Sequence, residues 1–130
     1  KILDILDKNI SNLRSTKQIR QKIRQATDSL GWSNRIKIST EGSMTISSIK
    51  DDIGLCIQTG NICRAYTDMI KLQYLFKNKK INSAIVIVPT KKFAWKMYRT
   101  GGSLTTFEKF TTDITLFKDV IKIPITVIGF

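Results

Sequence analysis

Few side chains in this sequence are suited to chemistry, and they fall into three groups. Cys56 and Cys63 are its two thiols, and histidine is absent. Two thiolates without histidine cannot complete the usual four-ligand zinc site. A disulfide between them is the weaker alternative, because a chain with so few cysteines suits a reducing compartment. Cys56 as a redox or soft-metal thiol is open on chemistry alone. A lone cysteine in an apolar strand is more often a small buried hydrophobe. The second group is acidic: Asp51 and Asp52 in KDD, and Glu41 in TEGS, stand in turn-like stretches where carboxylates usually act as solvated caps.

The third group is basic and dominates. Twenty-two Lys and Arg against 10 Asp and Glu leave a net charge of +12 on 130 residues. Such a surface attracts polyanions, nucleic acid first, with an acidic protein or an anionic membrane surface as alternatives and a merely solubilising lysine excess as the bland one. Lys17, Arg20, Lys22 and Arg24 form one basic ridge. Arg64 and Lys71 follow Asn61; they either hold a phosphate near a helix start or pair with Asp68 at helical spacing. In KKFAWKMYR the bases Lys91, Lys92, Lys96 and Arg99 interleave with aromatics, Trp95 among them. The bases suit phosphate contacts, and the aromatics more often pack than stack.

The elements that must position these groups follow from periodicity. Ile2, Leu3, Leu6, Ile10 and Leu13 recur at helical steps. STKQ, residues 15–18, has the form of a capping box and opens a second helix that turns Ile19, Ile23, Ala26 and Leu30 inward and stops at Gly31. RIKIS, MTISSIK and IGLCIQ then alternate with period two and predict a three-stranded antiparallel meander. In its third strand Gly54, Cys56 and Gln58 share one face, while Ile53, Leu55 and Ile57 share the other. A long helix over residues 61–77 presents Ile62, Tyr66, Met69, Ile70, Gln73 and Phe76 on one side. SAIVIVP reads as a buried parallel strand. A helix with Phe107, Phe110, Ile114 and Phe117 and a last strand, IPITVIGF, complete the chain.

This order predicts α/β layers: a mixed sheet in which an antiparallel meander feeds a crossover helix, with further helices flanking it. One domain over residues 1–130 is expected, with a helical N-terminal part at 1–31 and a core at 35–130. No apolar run approaches the ~20 residues of a membrane helix, and no signal-peptide core is present, so an intracellular protein, cytoplasmic or nucleoid-associated, is expected.

IGLCIQTGNICRAYTDMIKLQYLFKNKKINSAIVIVPTK, residues 53–91, resembles the core of the restriction endonucleases related to BglII and BstYI, in the PD-(D/E)XK nuclease superfamily. GGSLTTFEKFTTDITLF and VIKIPITVIGF are similar to that family's last helix and strand, and the resemblance extends over residues 20–130. It implies a restriction-endonuclease-like fold, double-stranded DNA as partner, and a homodimer. It also implies a site where an Asp on one strand and Glu-x-Gln on the next bind the catalytic metal beside the scissile phosphate. Gln58 matches the Gln. Cys56 falls at the Glu, and Ser47, nine residues earlier, falls at the Asp.

Magnesium prefers charged oxygens, and without it neither the attacking water nor the leaving oxygen is activated. The expectation is a catalytically inactive pseudonuclease that binds duplex DNA without a cofactor, as a regulator or a DNA-organising protein. Its expected DNA contacts are Arg20, Arg24, Asn61, Arg64, Lys71, Lys91, Lys92, Lys96 and Arg99. One alternative is an active Mg²⁺-dependent endodeoxyribonuclease whose carboxylates have migrated to Glu41, Asp51 or Asp52. The other is an interaction or structural scaffold that does not bind DNA.

Overall fold

A computed structural model of the chain describes residues 13, 15–98 and 103–130. The helix expected over residues 2–13 falls almost wholly outside them, as do Arg99, Gly101 and Gly102. The first described helix, α1 (Thr16–Ser29), starts where Ser15 accepts a hydrogen bond from the Gln18 amide at 3.3 Å. Gly31 follows its end at φ +78°, and the Lys50 ammonium donates to the Leu30 carbonyl left over by the helix. Ile19 and Ile23 turn inward as the periodicity predicts, but the third buried residue is Thr27 instead of Ala26 or Leu30. A step of four continues the stripe at Thr27, whose hydroxyl donates to the Arg24 carbonyl at 2.9 Å and so is not left unpaired.

The expected single meander is divided at Ser47. β1 (Ile36–Lys37) and β2 (Thr45–Ile46) form a two-stranded antiparallel ribbon with Ile36 opposite Ile46. β3 (Ser48–Lys50) and β4 (Ile53–Ile57) pair antiparallel within a separate four-stranded sheet. No residue of the middle run serves both ladders, so the chain changes sheets at Ser47. The β3–β4 turn consists of Asp51 and Asp52, both left-handed at φ 48° and 59°, as a two-residue hairpin requires.

α2 (Ile62–Lys77) carries the chain from β4 to β5 (Ser83–Val88), and α3 (Lys91–Tyr98) and α4 (Phe107–Leu116) carry it on to β6 (Ile125–Gly129). The sheet order is β3-β4-β5-β6, with β4, β5 and β6 mutually parallel. Alternation along β4 and β5 divides the core in two. Cys56, Ala84, Val86 and Val88 pack with α2 and with Phe110 of α4. Leu55 and Ile87 pack with Ile19 and Ile23 of α1 and with Phe93 and Met97 of α3. The predicted facing of β4 is therefore the observed one.

The buried stripe of α2 is rotated from its expected position. Ile62, Ala65, Met69, Leu72 and Leu75 are buried, whereas Ile70 is 65% exposed. Gly54 leaves room for this arrangement. A Cβ at that position would stand 2.9 Å from both Leu72 Cδ2 and Ile81 Cδ1, so the bare backbone lets the aliphatic edge of α2 settle against the sheet. Tyr66 and Gln73 look sideways instead. Tyr66 donates to Asp113 Oδ2 at 2.7 Å, and Gln73 Oε1 accepts the Lys122 and Ile123 amides at 2.8 and 3.0 Å. Among the described residues no helix is long and apolar enough to cross a membrane.

Candidate functional site

The corner where the chain changes sheets brings Ser47, Cys56 and Gln58 together. The Ser47 amide donates to the Leu55 carbonyl at 3.1 Å, and its hydroxyl oxygen accepts the Ile57 amide at 3.2 Å, which fixes the side chain across from the end of β4. One residue beyond that strand, the Gln58 amide nitrogen of the backbone donates to Ile87 at 2.8 Å, and the residue is buried. Its side-chain amide donates to Asp68 Oδ2 and, at 3.3 Å, to the Arg64 carbonyl. The other Asp68 oxygen accepts Lys71 Nζ at 2.9 Å. Asp68 is thus drawn into the site from α2, with one oxygen on an amide and the other on an ammonium.

Cys56 is fully buried beside this network. Burial pushes its thiol well above the ordinary value, and the negative charge of Asp68 pushes it further; Lys71 acts in the opposite sense but is a smaller influence. The group keeps its proton at neutral pH. It is a small apolar side chain here, not a thiolate for redox or metal chemistry. Cys63, in contrast, is exposed at the start of α2, and both thiols are free. A thiol reagent is expected to titrate one cysteine per folded chain within minutes and the second only in denaturant. Rapid reaction of both in the native protein, or of Cys56 in a Cys63→Ser variant, would contradict this burial.

Around Ser47 and Gln58 the surface is concave and basic. A cavity of about 270 Å³ is lined by Arg20, Arg35, Ser47, Gln58, Arg64 and Lys71, with Asp68 at its wall. A second cavity of about 450 Å³ adds Lys17 and Arg24 and shares Arg20, Arg35 and Ser47 with the first. Of the nine contacts expected from sequence, Arg20, Arg24, Arg64 and Lys71 therefore lie along these two cavities. Asn61 is occupied as the N-cap of α2, its side-chain oxygen accepting the Cys63 amide at 2.8 Å. Lys91, Lys92 and Lys96 are exposed on α3 beside Trp95, which is 63% exposed, and they line neither cavity. Arg99 is outside the described residues.

The carboxylates considered as migrated ligands stand elsewhere. Asp51 and Asp52 occupy the turn before β4, whereas Gln58 follows its other end, a separation of about 20 Å at strand rise. Glu41 is exposed in the β1–β2 connection, with its amide bonded to Ser39 Oγ. Two participants were not singled out from sequence. Continuing the β1–β2 register by one step sets Arg35 opposite Ser47, so the hairpin pairing was the signal for it. Asp68 had appeared only as a partner for surface bases; its inward role depends on how α2 rotates over Gly54.

An antiparallel pair leading into three parallel strands, with a crossover helix and this corner at the end of β4, defines a restriction-endonuclease-like α/β domain. The chain belongs to the BglII/BglIII restriction endonuclease family, whose model, "Restriction endonuclease BglII/BglIII", matches residues 2–130. Among solved structures it is similar to restriction endonuclease BglII complexed with a DNA 16-mer, with a TM-score of 0.77 and 17% sequence identity over 88% of this chain. The match covers 54% of that protein, so this chain spans about half the length of that solved structure. The curated proteins give no match.

The resemblance to metal-dependent nucleases raises the question of whether these side chains fit a divalent cation. They do not. Ser47 and Gln58 are neutral, Cys56 is protonated, and the one carboxylate, Asp68, is already matched by Lys71. Among the described residues no three His, Cys, Asp or Glu side chains gather into a cation-binding group. A hard cation gains too little here to offset the loss of its water shell.

Proposed function

We propose that this domain binds double-stranded DNA along the basic cavities at the end of β4 and does not cut it. The observation that carries the reading is the exchange of charge at one corner of the fold. Where the family resemblance calls for two metal-binding carboxylates there are Ser47 and a buried thiol, and around them stand Arg20, Arg35, Arg64 and Lys71. Arginine forks match phosphate oxygens in pairs, so the cluster suits a DNA backbone better than a hydrated metal. The DNA in the complex of the solved relative supports the same partner. The net charge of +12 draws the duplex in, and Lys91, Lys92 and Lys96 extend the contact along α3. The domain acts as a homodimer and serves regulation or DNA organisation.

The test is supercoiled plasmid with magnesium or manganese at low salt, run on a gel before and after detergent. Retarded plasmid that returns to intact supercoil is expected. With at least four phosphates neutralised, affinity should fall about 10²-fold between 50 and 200 mM salt. Failure to retard any duplex at low salt would sink the proposal. A second reading has one observation in its favour: Asp68 is a carboxylate inside the site, supplied by α2. Metal-dependent nicking that disappears in Asp68→Asn would establish an active nuclease instead.

A further inference from the structure

We infer that the cavity at Ser47 is a site for a terminal phosphate, the phosphomonoester at a DNA end, in preference to an internal phosphodiester. The inference rests on the DNA-binding reading and assigns the ligand of one part of that surface. Charge is the first ground. Arg20, Arg35, Arg64 and Lys71 line about 270 Å³ of space against the single carboxylate of Asp68, and that carboxylate is matched by Lys71. Three exposed arginines thus line this space, two of them shared with the neighbouring cavity, and among the described residues none of the three has a carboxylate partner. An internal phosphodiester carries one negative charge, whereas a terminal phosphate carries about 1.5 to 2 at neutral pH and a third oxygen free to accept.

Geometry is the second ground. Arg35 comes from the β1 side, Arg20 from α1 and Arg64 from α2, so the donors converge from three elements instead of tracking one line. The inner wall is polar and can donate. Ser47 already accepts the Ile57 amide on its oxygen, which leaves its hydroxyl proton for a ligand. The Gln58 amide is held away by Asp68 and by the Arg64 carbonyl, so it closes the cavity without competing for the phosphate. A chain that runs past this surface offers one oxygen pair to it. A chain that ends here offers three oxygens to three arginines.

The experiment is a set of fluorescence anisotropy titrations in EDTA and phosphate-free buffer. DNA hairpins with one open end carry a 5′-phosphate, a 3′-phosphate or hydroxyls only. A phosphorylated end is expected to bind about tenfold tighter than the hydroxyl end, the effect of one added charge-assisted contact. Which of the two phosphates gives the gain identifies the strand end that enters. In Arg35→Gln/Arg64→Gln, both at exposed positions, the preference is expected to vanish. In Lys92→Gln/Lys96→Gln all three hairpins should weaken alike. Equal affinity for every end in the unaltered protein would overturn this inference and leave the DNA-binding reading standing. A preference that survives Arg35→Gln/Arg64→Gln would overturn the assignment to this cavity. Failure to bind any hairpin would overturn both.

Discussion

A protein carrying Ser47→Asp and Cys56→Glu together is expected to nick supercoiled plasmid in magnesium, under conditions in which the unaltered chain leaves it intact. The two positions are neighbours across the β3–β4 corner, tied by hydrogen bonds from Ser47 to Leu55 and from Ile57 to Ser47. With Asp68 already beside Gln58, the double variant would gather three carboxylates within one small site. Lys71 balances only one of them. Like charges so close would destabilise the metal-free variant and favour a divalent cation, which would supply hydroxide and leaving-group stabilisation. A second readout follows from the same physics: magnesium should raise the melting temperature of the double variant and leave that of the unaltered protein in place, because a ligand stabilises only the state that binds it. Either single variant should remain inactive. A double variant that melts higher in magnesium yet leaves plasmid intact would show that more than two carboxylates separates this site from a nuclease.

The second large effect concerns the platform under the site. Phe110→Ala is expected to lower stability by about 3–5 kcal/mol, the range for emptying an aromatic site in a packed core. Phe110 has no solvent exposure and joins α4 to the same cluster as Cys56, Met69 and Val86. Against a total stability of roughly 5–15 kcal/mol that is a large fraction, and it corresponds to a fall in melting temperature of about 10–20 °C. Ile70→Ala is the matched control. Periodicity alone placed Ile70 inside, yet it is 65% exposed, so its loss should change stability by less than about 0.5 kcal/mol. Equal losses from both variants would mean that α2 packs through the face the sequence suggested and not through Leu72.

These two residues mark where sequence reasoning stops. The facing of β4 was legible because strand alternation is rigid: Cys56 and Gln58 must share a side, whatever the rest of the chain does. The Ser15 cap, the buried parallel β5 and the Phe110 helix were legible for the same kind of reason, each being set by local chemistry or a short period. The phase of α2 was not. Apolar residues occur on both sides of that helix, and the edge with Leu72 is the one that lies against Gly54, a residue on another element whose missing side chain leaves room for that approach.

The site divides in the same way. By itself the sequence determined that the chain carries +12 in formal charge and that a thiol and an amide, Cys56 and Gln58, alternate onto one face of a strand. Only the tertiary structure decided where that charge gathers. The β1–β2 register sets Arg35 opposite Ser47, the rotation of α2 turns Asp68 inward onto Gln58 and Lys71, and α1 brings Arg20 over the same cavity, while Lys91, Lys92 and Lys96 lie outside it. Charges far apart in sequence act together only when packing fixes their separations, because the interaction falls with distance and with water between them.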